Sequence, residues 1–133
     1  MAVACQNMSL VVTVPYYNES EGILETLKGI DNQELKADKV ILVDSGSIDE
    51  TSDMINDWIK SNNKKNFLNI FSGKMSPSSS FNHAIEISNE DIIAYIDCGL
   101  SIPSDWLSSS IKLLQKCNVD MVSTRIYTSG INK

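Results

Sequence analysis

Short apolar runs of strand length alternate with helical patterns along most of this chain, and that alternation restricts its fold more than any other feature. Most of the runs are β-branched and apolar at consecutive positions, as in strands that are covered on both faces. The runs are Leu10–Val14, Lys39–Val43, Phe67–Phe71, Ile92–Ile96 and Val119–Val122. They predict a mostly parallel β-sheet.

Helical spacing fills the intervals between these runs. Apolar residues recur on one face, at the spacing of an α-helix, in several segments. The segments are Ile23–Ile30, Met54–Ile59, Phe81–Ser88 and Leu107–Leu114. Strands that alternate with helices are joined by right-handed crossovers, so the sequence predicts an α/β fold, a three-layer α/β/α sandwich.

The sequence also marks the starts of several helices. Ser47–Glu50 has the S-x-x-E form of a capping box. Ser76 precedes Pro77, as an N-cap residue precedes a proline at the first helical position. Pro103 is expected to open the last helix.

Size and charge limit the class of protein. A chain of 133 residues is expected to form a single domain, 1–133, with its core over about residues 8–123. Its 17 acidic and 11 basic side chains give a net charge of −6. Binding to the phosphates of nucleic acid requires a basic face, so we expect no nucleic-acid partner.

The compartment is inferred from what the sequence lacks. No apolar run reaches the roughly 18–20 residues of a transmembrane helix, and Met1–Gln6 has no signal-peptide pattern. Cys5, Cys98 and Cys117 are odd in number and far apart, which disfavours a disulfide framework or a zinc site. We expect a cytoplasmic protein without a membrane span, and peripheral contact with a membrane stays open.

Polar segments follow the first four runs. Ligands of open α/β sheets bind beyond the carboxyl ends of the strands. The segments delivered there are Pro15–Glu19, Asp44–Asp49, Ser72–Ser80 and Asp97–Leu100. Carboxylates, a lysine and serines would thus meet at one edge of the sheet, which predicts a small-molecule site. The sequence has neither G-x-G-x-x-G nor a P-loop, so a nucleotide would be held in another way.

Four segments in the same order resemble those of inverting family 2 glycosyltransferases. Pro15–Glu19 is similar to P-x-Y-N-E, and Val43–Thr51 is similar to V-D-[DS]-G-S-x-D-x-T. Asn82–Ile85 resembles R-N-x-[GA]-[IL], and Ile93–Leu107 resembles the region that holds D-x-D and P-x-W-L. The resemblance implies a GT-A fold, truncated to the part that binds a nucleoside diphosphate sugar.

The resemblance implies substrate-binding roles for the first two segments. Pro15, Tyr17 and Glu19 belong to the first, and Tyr17 would stack on the base. Asp44 and Ser45 begin the second and would read the nucleoside.

The resemblance also implies a divalent cation, Mg²⁺ or Mn²⁺, that bridges the diphosphate. Asp97 is the first acid of the D-x-D segment and would hold the ribose and this metal. Gly99 stands where the family has the second acid, and Phe81 stands where an arginine often precedes the helix asparagine. The diphosphate would then depend on Lys74 and on the helix start at Ser76–Ser80.

The family reaction is transfer of the sugar to an acceptor hydroxyl, so the resemblance implies a glycosyltransferase. Its members carry a further half with the acceptor site and a catalytic Asp or Glu. That base is expected beyond Lys133, and the catalytic residue is unknown. The acceptor, a saccharide, a lipid or a protein, is equally unknown.

Other interpretations stay open. Asp44 can accept from amides of the Ser45–Gly46 turn instead of a ligand, and Asp49 suits a helix start. Gly99 leaves room for a non-catalytic nucleotide-sugar-binding or assembly module, and an open sheet edge leaves room for a homodimer. A receiver domain fits poorly because Val122–Arg125 contains no lysine.

Overall fold

The structure of this chain, a computed structural model, describes residues 8–127. Met1–Gln6, with Cys5, lies outside the described residues, as does the end of the polar tail that follows Tyr127. Four strands alternate with four helices: β1 (Leu10–Tyr16), α1 (Ile23–Asp31), β2 (Lys39–Asp44), α2 (Thr51–Ser61), β3 (Phe67–Phe71), α3 (Pro77–Glu86), β4 (Ile92–Tyr95) and α4 (Trp106–Cys117).

The strands form one parallel sheet in the order β3-β2-β1-β4. β1 is central, and Val12 lies opposite Val40 of β2 on one side and Ala94 of β4 on the other. Because all described strand pairs are parallel, the carboxyl ends of the strands share one edge of the sheet. The predicted α/β architecture is therefore confirmed.

Helices cover both faces of this sheet. Val12 and Val14 of β1 pack in a cluster with Leu27 of α1, Ile55 of α2 and Leu107 of α4. The opposite face is covered by α3, since Val11, Ile41 and Val43 pack there against Ala84. Consecutive strand residues are buried on alternate faces, which explains why β1 is apolar at nearly every position.

The first four predicted strands are found within two residues of their expected ends, but the fifth is wrong. Residues 119–127 contain no helix or strand. α4 ends at Cys117, and the following Asn118 has a left-handed conformation (φ 50°). Val119 is 41% exposed and Met121 81% exposed, so the short run Val119–Val122 buries too little apolar surface to form a strand.

The helix starts were predicted with mixed success. Ser76 caps α3 as expected, because its hydroxyl accepts from the N–H of Ser79 at 3.2 Å. The predicted capping box at Ser47–Glu50 is wrong, since α2 starts at Thr51 and Asp49 Oδ1 accepts the Thr51 N–H instead, at 3.1 Å. α4 starts three residues after Pro103, at Trp106. Within residues 8–127, no helix is long and apolar enough to cross a membrane.

Candidate functional site

A cleft of about 300 Å³ opens at the carboxyl edge of the sheet. It lies between the segments that follow β1, β2, β3 and β4. Its lining residues are Pro15, Tyr16, Tyr17, Glu19, Ser45, Met75, Pro77, Asp97 and Cys98. The structure thus brings together five of the seven predicted site residues: Pro15, Tyr17, Glu19, Ser45 and Asp97.

The other two predicted site residues, Asp44 and Lys74, do not line the cleft. Asp44 is 3% exposed, and its Oδ1 accepts from the N–H of Gly46 at 3.1 Å and of Ser47 at 2.7 Å. This is the structural role left open above, in which the acid closes the turn after β2. Lys74 is exposed, and its backbone packs against Gly46.

The two adjacent tyrosines of the β1 end have different environments. Tyr17 is 51% exposed beside the cleft and presents a ring to solvent. Tyr16 is buried, and its hydroxyl donates to Asn69 Oδ1 at 2.7 Å. Burial raises the pKa of Tyr16 to about 12, so this hydroxyl stays protonated. Tyr17, not Tyr16, is therefore the aromatic side chain available for stacking.

Hydrogen bonds join the loop after β1 to the loop after β2. Asn18 adopts a left-handed conformation (φ 51°) in which its N–H donates to Ser47 Oγ at 3.0 Å. Its side-chain Oδ1 accepts from the N–H of Ile48 at 2.9 Å. Asparagine tolerates this conformation well, which explains its place in this loop. The two loops therefore form one wall of the cleft.

Glu19 is held by its backbone at the same wall. Its N–H donates to Thr51 Oγ1 at 2.9 Å, and its carbonyl accepts from the N–H groups of Gly22 (3.0 Å) and Ile23 (2.9 Å). Thr51 is fully buried, and its hydroxyl donates to Asp49 Oδ1 at 2.6 Å. These bonds occupy the backbone of Glu19 and leave its side chain to line the cleft.

Asp97 stands on the opposite side, just after β4. Its carboxylate is exposed and accepts a short hydrogen bond from the hydroxyl of Tyr95. Burial, and next the neighbouring Asp97 carboxylate, raise the pKa of Tyr95 to about 12, so the tyrosine remains a donor. Of the ion pairs found within residues 8–127, none involves Glu19 or Asp97. Among the residues that the structure describes, the cleft carboxylates therefore have no ion-pair partner.

A buried threonine of α1 holds the loop that follows Asp97. Thr26 Oγ1 accepts from the N–H of Gly99 at 3.0 Å and lies 3.3 Å from the carbonyl of Gly22. The thiol of Cys98 lies 3.6 Å from the same oxygen. Burial raises the pKa of Cys98, so the thiol form prevails at neutral pH.

Ser45 and the start of α3 complete the cleft. Ser45 is buried, and its hydroxyl lies 2.7 Å from the hydroxyl of Ser80, which is also buried. This pair fixes the start of α3 against the end of β2, and Met75 and Pro77 of that start line the cleft. Free N–H groups of the first helical turn favour anions.

The carboxylates at the cleft could hold a metal only together with ligands that the described residues do not supply. Within the part of the chain that the structure describes, no group of three or more His, Cys, Asp or Glu side chains could enclose a metal. Mg²⁺ bound with a nucleotide typically uses one or two carboxylates and takes its other ligands from phosphates and water. Asp97 is an exposed carboxylate at the cleft and could supply one such ligand.

Two residues that hold the cleft walls, Thr26 and Thr51, were not predicted from sequence. Thr26 carries a faint signal, since a polar residue stands on the buried stripe of α1 next to Leu27. Its partner Gly99 is 73 residues away in the chain, which no local pattern reveals.

The chain is similar in sequence to named glycosyltransferases and in fold to solved structures. Glycosyltransferase AglE of Haloferax volcanii is 27% identical over 124 residues, which cover 90% of this chain and 40% of the relative. The mannosyltransferase PcManGT of Pyrobaculum calidifontis, solved in complex with GDP-Man and Mn²⁺, superposes with a TM-score of 0.75 at 26% identity, over 80% of this chain and 32% of the other.

A further solved structure supports the fold alone. TarS 1-349 of S. aureus, in complex with UDP-GlcNAc, has a TM-score of 0.74 at 20% identity, over 95% of this chain and 39% of the other. The neighbours show the GT-A fold that the resemblance implied. The chain spans about a third to two fifths of the length of these proteins.

The family model agrees with the order of the motifs and with the fold. The model described as Glycosyl transferase family 2 matches residues 11–133, which is most of the chain. The chain therefore belongs to glycosyl transferase family 2.

Proposed function

We propose that this chain binds a nucleoside diphosphate sugar in the cleft, as the donor-binding part of a glycosyltransferase. One observation carries the proposal: predicted ligand residues from three separate strand ends, among them Tyr17, Ser45 and Asp97, line a single cleft. A related mannosyltransferase structure was solved with GDP-Man and Mn²⁺, which supports this class of ligand.

In this proposal each wall of the cleft binds a different part of the donor. The exposed ring of Tyr17 stacks on the base, which is favourable because the ring loses contact with water. Ser45 and the turn closed by Asp44 lie beneath the nucleoside. The first turn of α3 and the flexible side chain of Lys74 approach the diphosphate.

Asp97 is the proposed contact for a divalent cation, Mg²⁺ or Mn²⁺. Such a cation, when bound, neutralises the diphosphate and stabilises it as a leaving group. Without a cation the uncompensated carboxylates Glu19 and Asp97 would repel the diphosphate. We therefore propose that donor binding depends on the divalent cation.

The reaction proposed for the whole protein is an inverting displacement. The acceptor oxygen forms a bond to the anomeric carbon, and the bond from that carbon to the diphosphate oxygen breaks. A general base takes the proton of the acceptor hydroxyl. We propose that this base and the acceptor site belong to a part that the relatives have outside the region matched by this chain. The acceptor is a hydroxyl of a saccharide, a lipid or a protein.

Calorimetric titration tests the donor-binding proposal directly. Folded protein is titrated with UDP, GDP and dTDP, each with and without Mn²⁺. We expect binding of at least one nucleotide that Mn²⁺ strengthens. Absence of binding by every nucleotide, in protein shown to be folded, would contradict the proposal.

Matched variants locate the binding in the cleft. Asp97→Asn and Tyr17→Ala should weaken binding, by loss of the cation contact and of stacking respectively. Asp57→Asn and Phe71→Ala are the controls, because both residues are exposed and neither lines the cleft. Equal losses in the controls would place the nucleotide elsewhere.

A second candidate function is a non-catalytic nucleotide-sugar-binding or assembly module. Gly99 favours it, because the second acid of the D-x-D segment is missing there. In residues 8–127, β4 pairs with β1 alone, so its other edge could pair with a second copy. Nucleotide binding with neither sugar transfer nor donor hydrolysis, together with a dimer in sedimentation, would favour this candidate.

A further inference from the structure

The cleft loop that carries Asp97 is anchored at both of its ends. Before Asp97, the N–H of Ile96 donates to the carbonyl of Thr13 at 3.2 Å, which ends the pairing of β4 with β1. After it, the N–H of Gly99 donates to Thr26 Oγ1 at 3.0 Å. The sheet makes the first anchor, while one side chain of α1 makes the second.

The hydroxyl of Thr26 is buried, so it bonds to protein groups and not to water. Thr26 is 0% exposed, and its hydroxyl lies between the carbonyl of Gly22 at 3.3 Å and the N–H of Gly99. A hydroxyl can donate one hydrogen bond while it accepts another. Its oxygen thus links the first turn of α1 to the cleft loop.

The loop also packs very closely on α1. A Cβ at Gly22 would lie 3.2 Å from the Cα of Gly99, which is tighter than ordinary contact. Cys98, between Asp97 and Gly99, turns its thiol to 3.6 Å from Thr26 Oγ1. The backbone of Cys98 and Gly99 therefore packs directly against the start of α1, which leaves little space for it to move.

We propose that Thr26 is a positioning residue for ligand binding: its hydroxyl holds the Asp97–Gly99 loop so that the Asp97 carboxylate meets the cation and diphosphate of the donor. Thr26 does not line the cleft and acts through the loop. This inference rests on the proposed function. Partners that orient a ligating carboxylate typically change metal affinity by about 10- to 100-fold.

Three variants of the full chain separate positioning from folding. Thr26→Val keeps the shape of the side chain and removes the hydroxyl, while Thr26→Ser keeps the hydroxyl. Thr13→Val is the matched control: Thr13 is equally buried, its hydroxyl contacts only the carbonyl of Ala94 in the sheet at 3.5 Å, and the substitution keeps the backbone carbonyl that accepts from Ile96. Circular dichroism and thermal unfolding establish that each variant is folded.

Affinities for UDP and GDP in the presence of Mn²⁺ are then measured by calorimetry. We expect Thr26→Val to lose at least about 10-fold in affinity, and Thr26→Ser and Thr13→Val to stay close to wild type. In an Asp97→Asn background, Thr26→Val should cause little further loss, because both changes act on the same contact. Hydrogen exchange of the Gly99 amide should accelerate in Thr26→Val and not in Thr26→Ser.

The outcomes distinguish this inference from the function on which it rests. If wild type binds nucleotide and a folded Thr26→Val variant binds it equally well, the positioning role is overturned and the proposed function stands. The same holds if Thr13→Val loses as much affinity as Thr26→Val. If folded wild type binds no nucleotide, the proposed function fails and the positioning role fails with it.

Discussion

Oε2 of Glu19 lies 3.8 Å from the point where a side chain at Gly99 would begin. Gly99 is the position at which the family resemblance places the second acid of D-x-D. The carboxylate of Glu19, in the loop after β1, therefore lies close to where a side chain at position 99, in the loop after β4, would be. The glycine itself has φ 80°, a conformation that L residues rarely adopt.

Restoring the acid by Gly99→Asp is predicted to destabilise the chain. An L residue at this φ costs about 1–2 kcal/mol, and the new carboxylate would also repel Glu19. We expect a melting temperature lower by roughly 3–8 °C, from the usual relation between unfolding free energy and melting temperature. Added Mn²⁺ should recover part of the loss, because a cation relieves the repulsion between the two carboxylates.

Gly99→Asn is the control for that experiment, since asparagine has a similar shape without the charge. The difference in stability between the two variants isolates the charge effect. We expect the asparagine variant to be the more stable at pH 7 and to be indifferent to Mn²⁺. Equal stability of the two variants without metal would show that Glu19 does not influence position 99.

The backbone architecture was predictable because its causes are local. β1 and β2 are rich in β-branched residues and are buried on both faces, and such runs identify the strands of a parallel sheet. The short run Val119–Val122 also predicted a strand, but Val119 and Met121 are exposed and no strand forms, so the local pattern was wrong there.

The site was predictable only in part, because its hydrogen bonds join distant residues. Strand ends and motifs indicated which loops meet, and Tyr17 and Asp97 do line one cleft. The sequence allows Asp44 either a ligand-binding or a turn-closing role, and the structure shows that its Oδ1 accepts from turn amides. The contact between Thr26 and Gly99 follows from packing of α1 against the loop, which sequence does not encode locally.

The turn that Asp44 closes is predicted to depend on Gly46. Gly46 has φ 94°, and a Cβ there would lie 3.2 Å from the Cα and 3.3 Å from the nitrogen of Lys74. Gly46→Ala therefore combines backbone strain of about 1–2 kcal/mol with a clash against backbone that costs about 1–3 kcal/mol. Urea unfolding should show a loss of roughly 2–5 kcal/mol in the free energy of unfolding, the sum of these two terms.

Gly73→Ala is a matched control within the same pair of loops. Gly73 also has a positive φ, 77°, but a Cβ there meets nothing within 4 Å. This variant should show the strain alone, so its loss should be smaller than that of Gly46→Ala. A loss as large as that of Gly46→Ala would mean that the clash with Lys74 is relieved at no cost.

Low pH is predicted to destabilise the cleft wall that contains Glu19, because Asp49 becomes protonated and its hydrogen bond with Thr51 is weakened. Hydrogen bonds from Thr51, first from its hydroxyl, lower the pKa of Asp49 below its ordinary value of 3.8. Because the folded pKa is the lower one, the stabilisation is present above the unfolded pKa and is lost as pH falls through the folded pKa. Stability at pH 2–4 should therefore fall more steeply in wild type than in Asp49→Asn, which keeps an acceptor oxygen but does not titrate.

Titration of the Asp49 carboxyl group by carbon NMR measures its lowered pKa directly. For the stability measurement, the control variant is Asp53→Asn, at an exposed acid in the first turn of α2. That variant should keep the steep fall of wild type, because Asp53 does not accept from Thr51. A carboxyl pKa of Asp49 at or above 3.8 would contradict the prediction.

Cys98 offers a chemical probe of the cleft, with Cys117 as an internal control. Burial raises the pKa of Cys98 above its ordinary value of 9.0, so little thiolate exists at pH 7 and alkylation by iodoacetamide should be slow. Cys117 is exposed and should react faster. Raising the pH increases the thiolate fraction of Cys98, so the rate of its alkylation should still be rising above pH 9.

Because Cys98 lines the cleft, UDP or GDP with Mn²⁺ should slow its alkylation and leave that of Cys117 unchanged, as followed by peptide mass spectrometry. Equal protection of both thiols, or of neither by a nucleotide that calorimetry shows to bind, would place the nucleotide outside this cleft.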